Sequence, residues 1–397
     1  MESWPTPTAL HLRSAARGPV TQTAAAAFGV SEHTFTDWRW QIKRQIRSAD
    51  DPSGALQLGA EDAQAFNDLR DVFEAGVTPY YASLAHPTDP NCPIRIQALP
   101  DLREKADQLG VADPLQEKNN SPVPEVVHVY PDRVAFCVAQ LCPVYCRYCF
   151  RKRRDGEEGL HFNPRIISAG LDYIRSTPAI RDVLLTGGDP LVAQDSQILR
   201  VVAALREIPH VEIIRIGTRV PVTLPYRITP ALAKGLAEHH PVWINTHFNS
   251  VEEITPEAAA ACDILLSHGI PVGNQSVLLA GVNDSVNAMK RLGEALIRIR
   301  VRPYYLYHPQ IVVGTEHLRV PIEKGLEIMR GLRGNTTGFA IPSYILDTPF
   351  GKLPLTPQNY IGRRGDNVEI RTNDGRIWTE PSPLGEFSPS NTDAAYQ

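Results

Sequence analysis

The chain has 397 residues, 43% of them hydrophobic, enough to bury a large core; two or three domains are expected unless one of them is a barrel. A formal net charge of −4 gives no electrostatic case for nucleic acid or a membrane surface as the main partner. No stretch approaches about 18 consecutive apolar residues, and the N-terminus lacks a basic segment followed by an apolar one, so a soluble, cytoplasmic protein is expected.

Residues 1–19 mix small and polar side chains without a period and predict a loose lead-in. From Thr21 to Ser48 the chain reads helix, turn, helix, with Gly29 as breaker and Ser31 as cap. Arg39, Lys43, Arg44 and Arg47 give this segment the look of a DNA-binding helix-turn-helix. Interspersed Asp and Glu argue against a basic footprint, and a solvated helix face is expected for Arg39 and Lys43. Residues 54–120 read as helical and loop-rich, broken by the proline-heavy run from Pro87 to Arg95. Residues 1–120 together are expected to form an N-terminal helical accessory region.

From Arg133 onward, β-branched runs alternate with amphipathic segments. Strands are predicted over 132–139, 182–186, 211–216, 242–247, 271–277, 302–307 and 338–346. Helices are predicted over 164–176, 192–206, 229–239, 255–268, 285–299 and 321–332. Such alternation implies βαβ units and a parallel sheet. The expected fold is α/β, a partial (β/α)6-type parallel barrel over 121–350, followed by a short C-terminal extension over 351–397. Chemistry in such folds collects at the C-terminal ends of the strands.

Directly after the first of these strands comes Cys142-Pro-Val-Tyr-Cys146-Arg-Tyr-Cys149-Phe-Arg151. Thiols spaced C-x3-C-x2-C can reach three corners of one [4Fe–4S] cube and leave its fourth iron open to a substrate or cofactor. A zinc site would need a second cysteine pair or histidines at fixed spacing, and the sequence has neither beside this run. Six cysteines in a chain this long do not make a disulfide scaffold. Cys92, Cys137 and Cys262 are isolated and are expected to be buried as small apolar side chains.

The cysteine run resembles the motif of radical S-adenosylmethionine (SAM) enzymes, in which the amino and carboxylate groups of SAM chelate the open iron. With Tyr130-Pro-Asp-Arg133 before it, Arg147-Tyr-Cys-Phe-Arg151 within it and Asp37-Trp-Arg-Trp-Gln41 upstream, it is similar more narrowly to the lysine 2,3-aminomutase family, from about Asp37 to about Tyr360. The resemblance implies an isomerase that moves the α-amino group of a small-molecule basic amino acid to Cβ. It implies a [4Fe–4S] cluster on Cys142, Cys146 and Cys149, SAM, pyridoxal 5′-phosphate (PLP), and an electron donor such as flavodoxin or ferredoxin. Thr186-Gly187-Gly188-Asp189-Pro190 resembles the family turn that holds the amino group of SAM; its glycines would let the backbone approach a ligand. Gly217-Thr218-Arg219 and the segments holding His247 and Gln275 place polar groups at further strand ends. The resemblance makes His247 and Gln275 contacts of SAM, whereas alone His247 reads as a core histidine.

Lys352, in Asp347-Thr-Pro-Phe-Gly-Lys352, is predicted to lie in a short loop after the last strand. Alone it reads as a solvated charge; the resemblance makes it the lysine that carries PLP, in a loop shorter than the family's usual glycine-richer one. Tyr130, Arg133 and Tyr307 match family positions around PLP, while Val129 replaces a family arginine, so the phosphate grip is expected to differ. Arg151 matches the residue that pairs with the substrate α-carboxylate, a bidentate task. The family surrounds the distal ammonium of lysine with two aspartates; Asp347 matches one, and Gln310 stands in place of the other. One carboxylate and one amide carbonyl suit a planar guanidinium better than a compact ammonium. Conversion of L-arginine to L-β-arginine is therefore expected, with L-lysine to β-lysine as the alternative, and a distal acidic group is disfavoured by Asp347. His308 is a further candidate for selectivity. The family's intersubunit zinc uses C-terminal cysteines, and none follows Cys262, so zinc is not expected, whereas a dimer or tetramer is. Two other readings compete: a protein-modifying relative that makes a β-amino acid for a translation factor, and a non-enzymatic iron–sulfur DNA-binding regulator, which would need neither Lys352 nor Asp347. A β-amino acid building block, as in antibiotic biosynthesis, is the expected pathway role.

Overall fold

Nine strands hydrogen-bond in sequence order into one sheet: β1 Val126–Tyr130, β2 Arg133–Ala139, β3 Asp182–Gly187, β4 Ile213–Gly217, β5 Val242–Thr246, β6 Val272–Val277, β7 Arg302–Tyr307, β8 Ser343–Thr348 and β9 Gly351–Pro354. The computed structural model describes residues 19–51, 56–70, 72–152, 161–356, 359–372 and 375–384; most of the lead-in, the basic residues Arg153 and Arg154, and the end of the tail lie outside them. Strands β2 to β8 run parallel, while β1 and β9 pair antiparallel at the two edges. The mostly parallel sheet forms a nearly closed barrel. Tyr130 spans the remaining gap, its hydroxyl accepting the backbone N–H of Lys352 at 2.5 Å.

The longer helices between the parallel strands are Pro164–Ser176, Asp195–Arg206, Pro230–Ala237, Pro256–Ser267, Val286–Arg298 and Ile322–Leu332, close to the predicted spans. Their starts are fixed by local chemistry. Asn163, Thr229, Thr255 and Ser285 each accept a backbone N–H of the first turn, and proline fills the first turn of three of these helices. The predicted seventh strand begins later than expected, because Gly338–Ala340 forms a 3-10 turn before β8. A three-stranded antiparallel sheet, β10 Tyr360–Arg364, β11 Asn367–Arg371 and β12 Ile377–Pro381, follows; the sequence reading did not resolve it.

At the N-terminus the first helix, Thr21–Ala27, and the cap at Ser31, which accepts the N–H of Thr34, are as read, but the second helix ends after Glu32–Thr36 at Asp37, which caps a third helix over Trp38–Lys43. Phe35 is fully buried, in edge contact with Tyr226 of the barrel, and Glu257 accepts the N–H groups of Val20 and Thr21. Arg39 and Lys43 are exposed. One hydrophobic core runs from Val20 through the barrel to Ile370, so the N-terminal region and the barrel bury their apolar faces together. Cys92, Cys137 and Cys262 are buried, and burial pushes the Cys262 thiol up to about 12.

Candidate active site

The chain leaving β2 turns directly into the cysteine run, and the side chains of Cys142, Cys146 and Cys149 line one cavity together with Arg151, Gly187 and Gly188. Among the described residues no three His, Cys, Asp or Glu side chains converge tightly enough for a single ion. A four-iron cube takes its thiolates at separate corners, so thiols set around a shared cavity fit it better than they fit a mononuclear metal.

This loop is gripped from the N-terminal region. Gln45 donates to the carbonyls of Cys142 and Pro143, both at 2.8 Å, and the N–H of Arg147 donates to Gln97. Arg147 is fully buried and makes a two-point pair with Glu104 at 2.8 and 2.7 Å, with further bonds to the carbonyls of Phe73 and Glu74. Lys152 joins the same carboxylate at 3.4 Å. The proline-broken segment is thus the outer wall of the cysteine site.

At the end of β3, Gly187 has φ of +120°, and a Cβ there would stand 2.2 Å from the carbonyl oxygen of Ala139; one at Gly188 would meet the backbone of Gln140 at 2.5 Å. The missing side chains let β3 lie against the chain that enters the cysteine run, a use of glycine that the ligand-based reading did not anticipate. Gly187→Ala is expected to lower stability by about 2–4 kcal/mol, read by thermal unfolding. The Asp189 carboxylate accepts the N–H of Leu191 and of Arg219 and the hydroxyl of Thr218, tying the end of β3 to that of β4. Burial raises its pKa against the pull of those bonds.

Because β2 to β8 are parallel and consecutive, their C-terminal ends form one rim. His247, just past β5, stacks on Tyr148 of the cysteine run with ring centroids 5.6 Å apart, and burial, with the nearby Arg219 cation, holds its pKa well below the usual value. Gln275 sits on β6 opposite Tyr305. The β6–β7 register slips at this point, Asn274 facing Pro303 and Gln275 facing Tyr305, so one extra residue bulges on β7. The bulge stacks Tyr304 on Tyr305 at 3.8 Å, and Tyr305 meets Tyr307 edge-on at 5.5 Å. The sequence reading missed Tyr305; its only signal was a run of aromatic residues at a strand end.

Lys352 corrects one expectation. It lies not in a loop but on β9, in a hairpin turned by Pro349 and Phe350, in register with Asp347 of β8. Its ammonium stands 3.0 Å from the Asp347 carboxylate and 5.7 Å from the ring centre of Tyr307. Burial acts to lower the Lys352 pKa, but Asp347, with Tyr307 and Tyr130, outweighs it and the net shift is upward. Gly351 has φ of +114°, and a Cβ there would lie 2.9 Å from the Tyr130 ring. Arg133 stacks on the other part of this assembly, 3.6 Å from the Tyr130 ring centre, and pairs with Asp132. An amine, an arginine and three tyrosines beside one another form a set able to hold a phosphorylated aromatic aldehyde.

Arg151 is held by Glu117, a buried partner the sequence reading missed: Nε and Nη2 each donate to Oε1, at 3.0 and 2.8 Å, and Nη1 donates to Thr186 at 3.1 Å. Burial acts to lower the Arg151 pKa, and Glu117 reverses this, so the guanidinium stays charged. A guanidinium has five N–H groups, and the bonds among the described residues leave part of this fork for a second carboxylate. Gln310 donates to the backbone carbonyl of Asp347 at 3.0 Å, so the two predicted distal residues do meet. His308 does not belong with them. It is buried, bonded to the Tyr344 hydroxyl at 2.8 Å, and burial lowers its pKa to about 3.

Comparisons with known proteins identify the family. Residues 137–292 match the Radical SAM superfamily and residues 329–397 match the family described as Lysine-2,3-aminomutase. The chain is 45% identical to the L-lysine 2,3-aminomutase of Clostridium subterminale over 92% of this chain and 88% of that one. It is 43% identical to the L-lysine 2,3-aminomutase of Bacillus subtilis (93% and 79% covered) and 40% identical to the glutamate 2,3-aminomutase of Clostridioides difficile (87% and 83% covered). With that similarity running through both the cysteine rim and the lysine hairpin, the chain belongs to the lysine 2,3-aminomutase family of radical SAM enzymes, isomerases that work with a [4Fe–4S] cluster, SAM and PLP.

Proposed function

We propose that this enzyme converts L-arginine to L-β-arginine. The observation that carries the substrate is the pairing of Gln310 with Asp347: the Gln310 amide nitrogen donates to the Asp347 backbone carbonyl, so an amide side chain sits beside the residue that supplies one carboxylate. Two acceptors carrying one full charge suit a planar guanidinium with several donors. A lysine ammonium is the second reading, favoured by the relatives named L-lysine 2,3-aminomutase. A glutamate side chain would meet the Asp347 carboxylate as a like charge.

In this reading Cys142, Cys146 and Cys149 hold the cluster. The Gly187-Gly188-Asp189 turn, His247 and Gln275 surround SAM, and Lys352, Tyr130, Arg133 and Tyr307 hold PLP. When bound, SAM on the reduced cluster supplies a hydrogen-abstracting radical and PLP a π-system for the migrating nitrogen. The chain supplies position and dryness. Arg151, kept rigid by Glu117 and Thr186, offers its remaining donors to the α-carboxylate, and Asp347 with Gln310 takes the far end. Between them the substrate is fixed at both ends, which sets Cβ at reacting distance. Tyr305 and Tyr307 wall the site against water. Asp347 meets Lys352 and substrate in turn: once the lysine amine is engaged elsewhere, the carboxylate is available to the substrate cation.

The test is anaerobic turnover of the reconstituted enzyme with equal L-arginine, L-lysine and L-glutamate, with the β-amino acid identified. Predominant β-arginine supports the reading, and predominant β-lysine or β-glutamate overturns it. Gln310→Asp, which restores a second carboxylate, is expected to raise kcat/KM for lysine relative to arginine by about 10- to 100-fold, the range of one charge-assisted hydrogen bond.

A further inference from the structure

Arg219, at the end of β4, makes an arrangement that the catalytic roles above do not use. Arg219 is 8% exposed, and its guanidinium branches to several elements. Nη1 donates to the Cys146 sulfur at 2.8 Å and Nε to the His247 carbonyl at 3.2 Å. Nη2 reaches the Tyr81 hydroxyl at 2.9 Å, the Gln97 amide oxygen at 2.6 Å and the Glu253 carboxylate at 2.6 Å. Glu253 is itself fully buried, and its second oxygen accepts the N–H groups of Asn249 and Ser250. The cation is thus locked between a thiol at one edge and a carboxylate at the other.

We propose that Arg219 tunes the reduction potential of the iron–sulfur cluster through Cys146, and that Glu253 sets how strongly it does so. Cluster potentials respond to hydrogen bonds on the sulfurs, net charge and solvent exposure. Reduction adds one electron and no atom, taking the [4Fe–4S] core from 2+ to 1+. A buried cation bonded to a ligand sulfur stabilises that added negative charge, because little water screens it. Glu253 opposes the effect by neutralising part of the same cation. Each side chain therefore has a predicted sign, and the two signs differ. A purely structural role would give no such opposition.

The inference rests on Cys146 being a cluster ligand. Its test is redox titration of the reconstituted protein without SAM, followed by the paramagnetic signal of the reduced cluster, with iron content measured in parallel. Arg219→Gln removes the charge and is expected to lower the reduced-to-oxidised ratio at a fixed poise about tenfold, a shift of about 59 mV for a one-electron couple. Glu253→Gln keeps the shape and is expected to shift the potential the opposite way. Opposite shifts at undiminished iron content support the proposal; an unchanged potential in both, or shifts of the same sign, overturns it. Should Arg219→Gln fail to assemble the cluster, Glu253→Gln alone decides, an upward shift supporting and no shift overturning. Cys146→Ala separates the premise: full iron content and an unaltered signal in that variant would show that Cys146 is no ligand.

Discussion

Replacing Lys352 by alanine is expected to suppress formation of the β-amino acid by about 10³-fold or more, while reductive cleavage of SAM continues. In the role proposed for Lys352, the magnitude follows from losing a covalent tether that would hold PLP at high effective concentration beside the substrate. The fold should tolerate the change, because the Lys352 side chain is 32% exposed and the hairpin register is set by backbone bonds. Its loss leaves the Asp347 carboxylate without the cation 3.0 Å away, an electrostatic change that could disturb the site by itself. Lys352→Arg separates the two effects. It keeps a cation opposite Asp347 but has no amine to condense with an aldehyde, so equal loss of activity in both variants assigns the effect to covalent attachment. Activity recovered in the arginine variant, or an intact absorbance of protein-linked PLP in the alanine one, would overturn the assignment.

Glu104→Ala is expected to cost about 3–5 kcal/mol and to impair cluster assembly. Arg147 is 0% exposed and Glu104 1%, so removing the carboxylate leaves a buried guanidinium without its charge partner, with Lys152 a second cation beside it. Breaking one side of a buried pair is costly in this way because the remaining ion has neither water nor a counter-charge. For a chain of this size the loss corresponds to a fall in Tm of about 4–6 °C. Arg147 lies between Cys146 and Cys149 in sequence, so the same change loosens the loop that presents both thiols. Thermal unfolding and iron content measured together check it. A stable variant with a full complement of iron would show that the loop is held by Gln45 and Gln97 instead.

Much of the barrel was legible because its cues are local. The predicted spans 164–176 and 302–307 coincide with a helix and a strand in the structure, since an apolar period and a capping residue act over one or two turns. The C-terminal meander was not legible: β10 to β12 are short and polar on one side. The setting of Lys352 was misread. Proline and glycine in its segment suggest a turn equally well whether the chain then stays in a loop or returns as a strand, and only pairing with β8 decides that.

The division is clearest among the charged residues. By itself the sequence determined the three thiols and their spacing and the alternation that builds the rim, because each depends on neighbours a few residues away. It could not determine that Arg147 meets Glu104 across 43 residues, that Arg151 meets Glu117 across 34, or that Arg219 meets Cys146 across 73. A buried arginine requires a partner, yet nothing along the chain says which glutamate or which sulfur it will be. That choice is made when the parallel strands bring their ends onto one rim and the N-terminal segment packs over it, since only then do groups distant in sequence share one desolvated space.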